Sequence, residues 1–426
     1  MSIGVGVIGA GTVGGGVIRT FLANGEVIAR ATGRDVKLVH VADLNTELYK
    51  DFDLTGVSIS NDAMGLVNDP NVHVVVELIG GLNPAKKFIL AALNAGKHVV
   101  TANKMLLAHH GPELCEAAVK NNVELRYEAA VAGGIPIIKA LREGLAANRI
   151  QFVCGILNGT CNYIMSRMTY EGLEFGEALR QAQAKGFAET PPDLDIEGHD
   201  TAHKCQIIAS LCYSTEVALE DIHTEGITKV SHADVAYAGE MGYLIKLLAV
   251  VREQNGEIEV RVHPTLVPDD HLLASVRNEF NAIYVKSDIA DATLYYGRGA
   301  GRLPTASAVV SDIIDIAKRG SGPVPAPFNY QQKRAIRDMG HVQGRYYLRL
   351  TTLDRPGVLG KICTILGAHG VSIASCIQKE KHEVNRVHVV LMTYSTVESD
   401  LRDALGEIDA LDVIHEPTHF LRVWDE

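Results

Sequence analysis

Residues 3–16 read IGVGVIGAGTVGGG. A short apolar strand runs into glycines at 9, 11 and 14, and the chain then turns helical. Gly9 permits the tight turn, Gly11 lets the backbone approach a pyrophosphate, and Gly14 lets helix and strand pack closely. Thr12 and Val13 complete the turn, and the helix start offers unpaired N–H groups and the positive end of its dipole. The motif alone is weak evidence. At the first strand-to-helix turn of an alternating sequence it points to a dinucleotide.

The surroundings supply that alternation. VKLVHVAD (36–43), HVVVELIG (73–80) and KHVVTAN (97–103) are β-rich runs, and PAKKFILAALNAG (84–96) is helical, with proline at its start and glycine at its end. Continuous apolar strands alternating with helices mean a parallel sheet covered on both faces, a doubly wound Rossmann-type fold. Asp43 closes the second strand, where a carboxylate would bond ribose hydroxyls. It lies further from the glycines than usual, so an insertion is expected, and its alternative role is to cap a turn. The absence of Arg or Lys between Val41 and Tyr49 tilts the reading from NADP towards NAD. Lys104, just past a strand, points into the cofactor crevice or else lies on the surface.

From Gly134 the pattern changes. GIPIIKALREGLAA (134–147) reads as helix, RIQFVCGILNG (149–159) as strand, and His199 to Tyr213 as helix. EIEVRVHPTLVP (257–268) and NAIYVKSDIADATLYYG (281–297) predict an antiparallel sheet, and PTASAVVSDIIDIAKR (304–319) a helix leading back out. SGPVPAPFNYQQ (321–332) has the composition of a linker. Residues 345–426 then follow a βαββαβ order, a ferredoxin-like unit. The expected division is 1–133 with 304–319 packing back, an α+β domain over 134–319, a linker over 320–344 and the terminal unit over 345–426.

A chain of 426 residues needs two or three cores. Its net charge of −11 argues against nucleic acid and anionic membrane as partners. The first residues lack the basic and apolar regions of a signal peptide, and no apolar run reaches membrane-spanning length. Seven scattered cysteines without a C-x-x-C pair fit a reducing cytoplasm better than a zinc or disulfide framework.

Residues 188–204, AETPPDLDIEGHDTAHK, gather Glu189, Asp193, Asp195, Glu197 and Asp200 before Lys204. Asp200 and Lys204 are spaced to share a helix face. An exposed ion pair is the bland reading. The sharper one has the acids holding an ammonium group while Lys204 acts on a neighbouring hydroxyl. Carboxylates keep a lysine charged, which suits proton donation during carbonyl reduction. In YEAAVAGGIPII (127–138) the glycines and proline force an irregular backbone whose carbonyls suit a hard cation, though spacing alone argues little for one.

Taken together, GVIGAGTVGGG (6–16), VVTANK (99–104), YEAAVAGGIPII (127–138), GILNGTCNYI (155–164), the acidic stretch and GRGAGRLPTASAVVSDI (297–313) resemble homoserine dehydrogenases over nearly the whole chain. LTTLDRPGVLGKI (350–362) and GVSI (370–373) resemble an ACT domain. The resemblance implies NAD(P)-dependent, reversible interconversion of L-homoserine and L-aspartate 4-semialdehyde, on the route to threonine, methionine and isoleucine. It implies that Glu189 and Asp195 bind substrate, that Asp200 stands beside the reacting centre, that Lys204 carries the proton, and that Lys104 serves substrate and nicotinamide. It places Gly301 near the cofactor, and a monovalent cation, sodium or potassium, at Glu128, Val131, Gly133 and Ile135. It implies an amino-acid effector, L-threonine first, near Asp354, Gly357 and Leu359, and a homodimer or homotetramer. Pro191 stands where many members have a second acid, Cys161 replaces a threonine, and Ala42 replaces a basic residue. The alternatives are an inactive nucleotide and amino-acid sensor, or another amino-acid dehydrogenase.

Overall fold

The computed structural model describes residues 2–319, 324–328, 330, 333–379 and 386–426. Of the expected linker, residues 320–323, 329, 331 and 332 lie outside the described residues, as do 380–385 of the terminal unit. The first third carries β1 (Ile3–Ile8), α1 (Thr12–Thr32), β2 (Val36–Ala42), β3 (Ser58–Ser60), α2 (Ala63–Asn68), β4 (Val74–Glu77), α3 (Ala85–Asn94), β5 (His98–Thr101), α4 (Lys104–Lys120) and β6 (Leu125–Arg126). Next come α5 (Ile137–Lys139), β7 (Ile150–Ile156), α6 (Gly159–Glu171), α7 (Phe175–Ala184), α8 (Asp193–Ile196) and α9 (His199–Tyr213). They are followed by β8 (His223–Thr224), α10 (His232–Glu240), β9 (Tyr243–Gln254), β10 (Glu257–Pro268), β11 (Phe280–Ser287), β12 (Asp291–Arg298) and α11 (Arg302–Lys318). The end holds β13 (Gln343–Leu353), α12 (Val358–Ala368), β14 (Ile373–Gln378), β15 (Arg386–Thr393), β16 (Thr396–Val397), α13 (Glu398–Asp409) and β17 (His419–Val423).

The chain forms two compact units. The first comprises Met1–Gln151, His203–Leu219 and Phe280–Lys333. Its six strands run in the order β3-β2-β1-β4-β5-β6, all parallel, as the apolar runs predict. Val5, Val7, Val74, Val76 and Val100 share a core with Val17 and Ile18 of α1 and with Val309 and Ile313 of α11. α11 packs on this core beside α1. Gly16 makes this possible, because a Cβ there would stand 2.5 Å from the Arg302 carbonyl oxygen. The extra distance between the glycines and Asp43 is taken up by α1 itself, 21 residues long and kinked at Asn24. The helix expected over 134–147 forms only in part: α5 is one turn and continues as a π-turn over Ala140–Gly144.

The second unit comprises Phe152–Ala202, Glu220–Glu279 and Arg334–Glu426. Its strands lie in the order β7-β9-β10-β17-β13-β15-β14. β9 and β10 pair antiparallel along their whole length, from Glu257↔Gln254 to Pro268↔Tyr243. The last four strands carry the 4-1-3-2 order of a ferredoxin-like βαββαβ unit, with Leu348, Leu350, Ile362, Leu391 and Leu401 in its core. This terminal sheet continues directly from its neighbour. β17 pairs parallel with β10 at Thr265↔Arg422 and Leu266↔Val423, and the Trp424 N–H donates to the Leu266 carbonyl at 2.8 Å. An edge strand with unpaired backbone groups is a liability, and here each edge covers the other.

Candidate active site

In the first unit the strand β1 delivers the glycine loop to the carboxyl end of the sheet. Gly9 adopts φ +94°, and its N–H donates to the Ala42 carbonyl at 2.9 Å. A Cβ on Gly14 would lie 1.8 Å from the Gly9 carbonyl oxygen, so only glycine closes this turn. Gly11 differs: a Cβ there would meet nothing within 4 Å. That open space lies at the N-terminus of α1, where Gly11 is the cap without a side-chain bond and Thr12 and Val13 begin a first turn free of acids. Unopposed N–H groups, a positive dipole end and room in front of them fit a diphosphate. Asp43 joins the loop directly. Its Oδ2 accepts the Ala10 N–H at 2.6 Å, while its Oδ1 accepts the Asn45 N–H at 2.9 Å. Asp43 thus caps the turn that follows β2 and also holds the glycine loop.

The same end of the sheet is braced by Glu77, which is fully buried. Its Oε1 accepts the N–H groups of Ile79 and Gly80, and its Oε2 accepts the Thr101 hydroxyl. Asn103 then caps α4 by accepting the Leu106 N–H and donates to the Gly81 carbonyl. These bonds fix the helix start on which half-buried Lys104 sits. His109 of α4 lies with its ring 5.6 Å from that of His203, the residue preceding Lys204 on α9. The helices bearing the two lysines thus meet in one unit. Lys204 is 9 % exposed, which sets aside the surface reading for it. Gly301, at φ +122°, caps α11.

In the second unit, Asn158 at the turn from β7 into α6 organises the acidic stretch. Its Nδ2 donates to Asp195 Oδ1 at 2.7 Å and to Asp200 Oδ2 at 2.9 Å. Its Oδ1 accepts the Cys161 N–H at 2.8 Å and so caps α6. Cys161 is fully buried and its thiol donates to the Asp195 carbonyl, which is a packing role. Asp200 and Lys204 are one turn apart on α9. Glu189 is exposed on the loop after α7, ahead of a cis Thr190–Pro191 bond, and its carbonyl accepts from Gln183 Nε2. Asn158 belongs to the NGT sequence, where its hold on two carboxylates is not legible. The available signal was an amide at a strand-to-helix junction.

A second acid cluster, this one buried, lies at the Glu128 loop in the first unit. Glu128 Oε1 and Oε2 accept the N–H groups of Ile138 and Lys139, each at 2.9 Å, and so cap α5. The Glu128 N–H donates to Asp312 Oδ2 at 2.8 Å. Burial raises the Glu128 carboxyl and pushes that of Asp312 up to about 7. Gly133 at φ +53° and Ala132 at φ +54° turn the backbone, with Val131 and Ile135 buried on either side. The Ile135 carbonyl accepts the Ile137 N–H at 2.8 Å. One carboxylate and several carbonyls are the donor chemistry of a hard cation. Among the described residues no cluster of three His, Cys, Asp or Glu side chains offers another metal site.

In the terminal unit Gly357, at φ +89°, caps α12, and a Cβ there would meet nothing within 4 Å. Asp354 is exposed beside it, and Leu359 packs on the unit's core. All seven cysteines are free thiols. Among the described residues no helix is long and apolar enough to cross a membrane.

A glycine cradle at the first turn of a wholly parallel sheet defines a dinucleotide-binding domain of the Rossmann class. Residues 9–128 match the homoserine dehydrogenase NAD-binding domain, residues 136–314 the homoserine dehydrogenase family itself, and residues 346–413 the ACT domain. The homoserine dehydrogenase of Neisseria gonorrhoeae is 45 % identical over 99 % of this chain and 98 % of its own, and that of Pseudomonas aeruginosa 42 % identical over 98 % of each. A crystal structure of a homoserine dehydrogenase from Thiobacillus denitrificans superposes with a TM-score of 0.94 at 43 % identity, covering 100 % of this chain and 99 % of that one. An archaeal homoserine dehydrogenase solved in complex with NADPH covers 74 % of this chain and 98 % of its own, at 25 % identity and TM-score 0.63. The chain belongs to the homoserine dehydrogenase family of NAD(P)-dependent oxidoreductases, with a C-terminal ACT domain.

Proposed function

We propose that the chain interconverts L-homoserine and L-aspartate 4-semialdehyde. The observation that carries this is the Asn158-held pair Asp195 and Asp200, with buried Lys204 one turn along the helix from Asp200. Asp195 and Asp200, with Glu189 from the flanking loop, receive the substrate ammonium. Lys204 takes the hydroxyl proton in oxidation and returns it in reduction, and Lys104 orients substrate at the nicotinamide side. Gly9, Gly11, Thr12, Val13 and Gly14 hold the diphosphate, Asp43 the adenosine ribose, and Gly301 the flank of the cofactor. The nicotinamide supplies the hydride chemistry when bound, and the protein contributes orientation and charge.

Ala42 in place of a basic residue supports use of NAD, while the archaeal relative's NADPH supports the phosphorylated cofactor. A sodium or potassium ion at Glu128, Val131, Gly133 and Ile135 is consistent with the oxygen-rich loop. The enzyme then works in the cytoplasm on the route to threonine, methionine and isoleucine, as a homodimer or homotetramer. L-Threonine binds near Asp354, Gly357 and Leu359 and inhibits, a reading supported by the ACT match and the open turn at Gly357. The test is reduction of NAD and of NADP by purified protein with L-homoserine, with and without L-threonine. Homoserine-dependent reduction is expected. Failure in both directions by a folded, cofactor-binding sample would refute the assignment.

A further inference from the structure

Arg422, on β17 of the ACT unit, is 4 % exposed and lies at the centre of an ion-pair network within the second unit. Its Nε and Nη2 donate to the two carboxylate oxygens of fully buried Glu398, at 2.8 and 2.7 Å. Its Nη1 and Nη2 also donate to Glu225 Oε2 and Oε1, at 2.8 and 3.1 Å. Glu225 follows β8, and its carboxylate meets His223 Nε2 at 2.8 Å as well. The next residues lead straight to the acidic stretch. Gly226 lies so close to α8 that a Cβ on it would be 2.1 Å from the Ile196 carbonyl oxygen, and the Ile227 N–H donates to that same oxygen at 2.8 Å. Ile196 is the neighbour of Asp195, whose side chain shares Asn158 with Asp200.

We infer that Arg422 is a positioning residue for the dehydrogenase reaction: by fixing Glu225 it fixes the backbone that seats Ile196, and through it the substrate carboxylate Asp195. The inference rests on the reading of Asp195 and Asp200 as substrate ligands. It gives the ACT unit a standing part in substrate binding, through a bidentate fork that a lysine, as a point charge, does not reproduce.

The test is steady-state kinetics of the full-length enzyme and its Arg422→Lys, Glu225→Gln and double variants, varying L-homoserine and cofactor separately. Each single variant is expected to raise the homoserine KM by about tenfold, equivalent to about 1.4 kcal/mol, with the cofactor KM unchanged. The double variant should cost little more than the worse single one, because the two residues act as one clamp. Glu225→Gln keeps its size, so it carries the test if Arg422→Lys fails to fold. An unchanged homoserine KM in the folded variants, or a parallel rise in both KM values, would overturn the inference. Asn158→Asp is the control. Loss of homoserine affinity there but not in the Arg422 and Glu225 variants would remove this inference alone, whereas no loss in any of them, or no homoserine turnover by the wild type, would remove the underlying reading.

Discussion

Asn158→Asp isolates the contact that joins Asp195 and Asp200, the carboxylates proposed to receive the substrate ammonium. The substitution is nearly isosteric at a side chain only 4 % exposed. It keeps Oδ1, which caps α6 through the Cys161 N–H, and a carboxylate is welcome at a helix N-terminus. What it removes is the amide donor that reaches Asp195 at 2.7 Å and Asp200 at 2.9 Å. Hydrogen bonds to charged groups contribute about 1.5–3 kcal/mol each. Asp195 and Asp200 are only half-buried, so water replaces part of the loss. A net cost of about 3 kcal/mol lowers kcat/KM for homoserine by roughly 100-fold, at about 1.36 kcal/mol per decade. Three crowded carboxylates also raise the pKa of one of them. A carboxyl with a raised folded pKa penalises the fold above its unfolded value, so the variant's stability deficit should grow as pH rises and shrink towards acid. The assay is the initial rate of homoserine-dependent nicotinamide reduction, beside thermal unfolding at several pH values. A folded variant whose kcat/KM for homoserine stays within about threefold of wild type would refute the reasoning.

Two glycines of one motif should behave differently. Gly14→Ala puts a Cβ 1.8 Å from the Gly9 carbonyl oxygen and should lower the melting temperature and abolish cofactor binding together, whereas Gly11→Ala meets no atom within 4 Å and should leave melting unchanged while weakening cofactor binding; calorimetry beside cofactor titration separates the two. Lys204→Ala should lower kcat on the order of 100-fold or more with cofactor KM retained, as expected for loss of an acid–base group; near-normal turnover would exclude its role. For Asp312, burial raises the carboxyl from 3.8 to about 7, so its contribution to stability falls as pH climbs through that interval and is flat above it. The drop is on the order of 4 kcal/mol at about 1.36 kcal/mol per unit, and Asp312→Asn should remove that slope from unfolding measured across the interval. An unaltered slope in Asp312→Asn would assign it to other groups.

Much of this protein was legible in the residues alone. The glycine spacing, the valine-rich runs and the helix between proline and glycine dictate a parallel sheet with its phosphate loop, because backbone sterics and apolar burial are local and periodic. The His199–Tyr213 helix, the long β10 strand and the βαββαβ order of the terminal unit were readable for the same reason. Contacts across long stretches of chain were not. Asn158 lies 37 and 42 residues from the carboxylates it joins, Asp312 lies 184 from Glu128, and Arg422 lies 197 from Glu225. The seam between β10 and β17 likewise appears only when both strands exist. Period and turn chemistry are written into neighbouring residues. Which buried charge finds which partner is decided by packing of distant elements, since an unpaired buried charge is too costly to leave and the chain's path alone determines what is near enough to meet it.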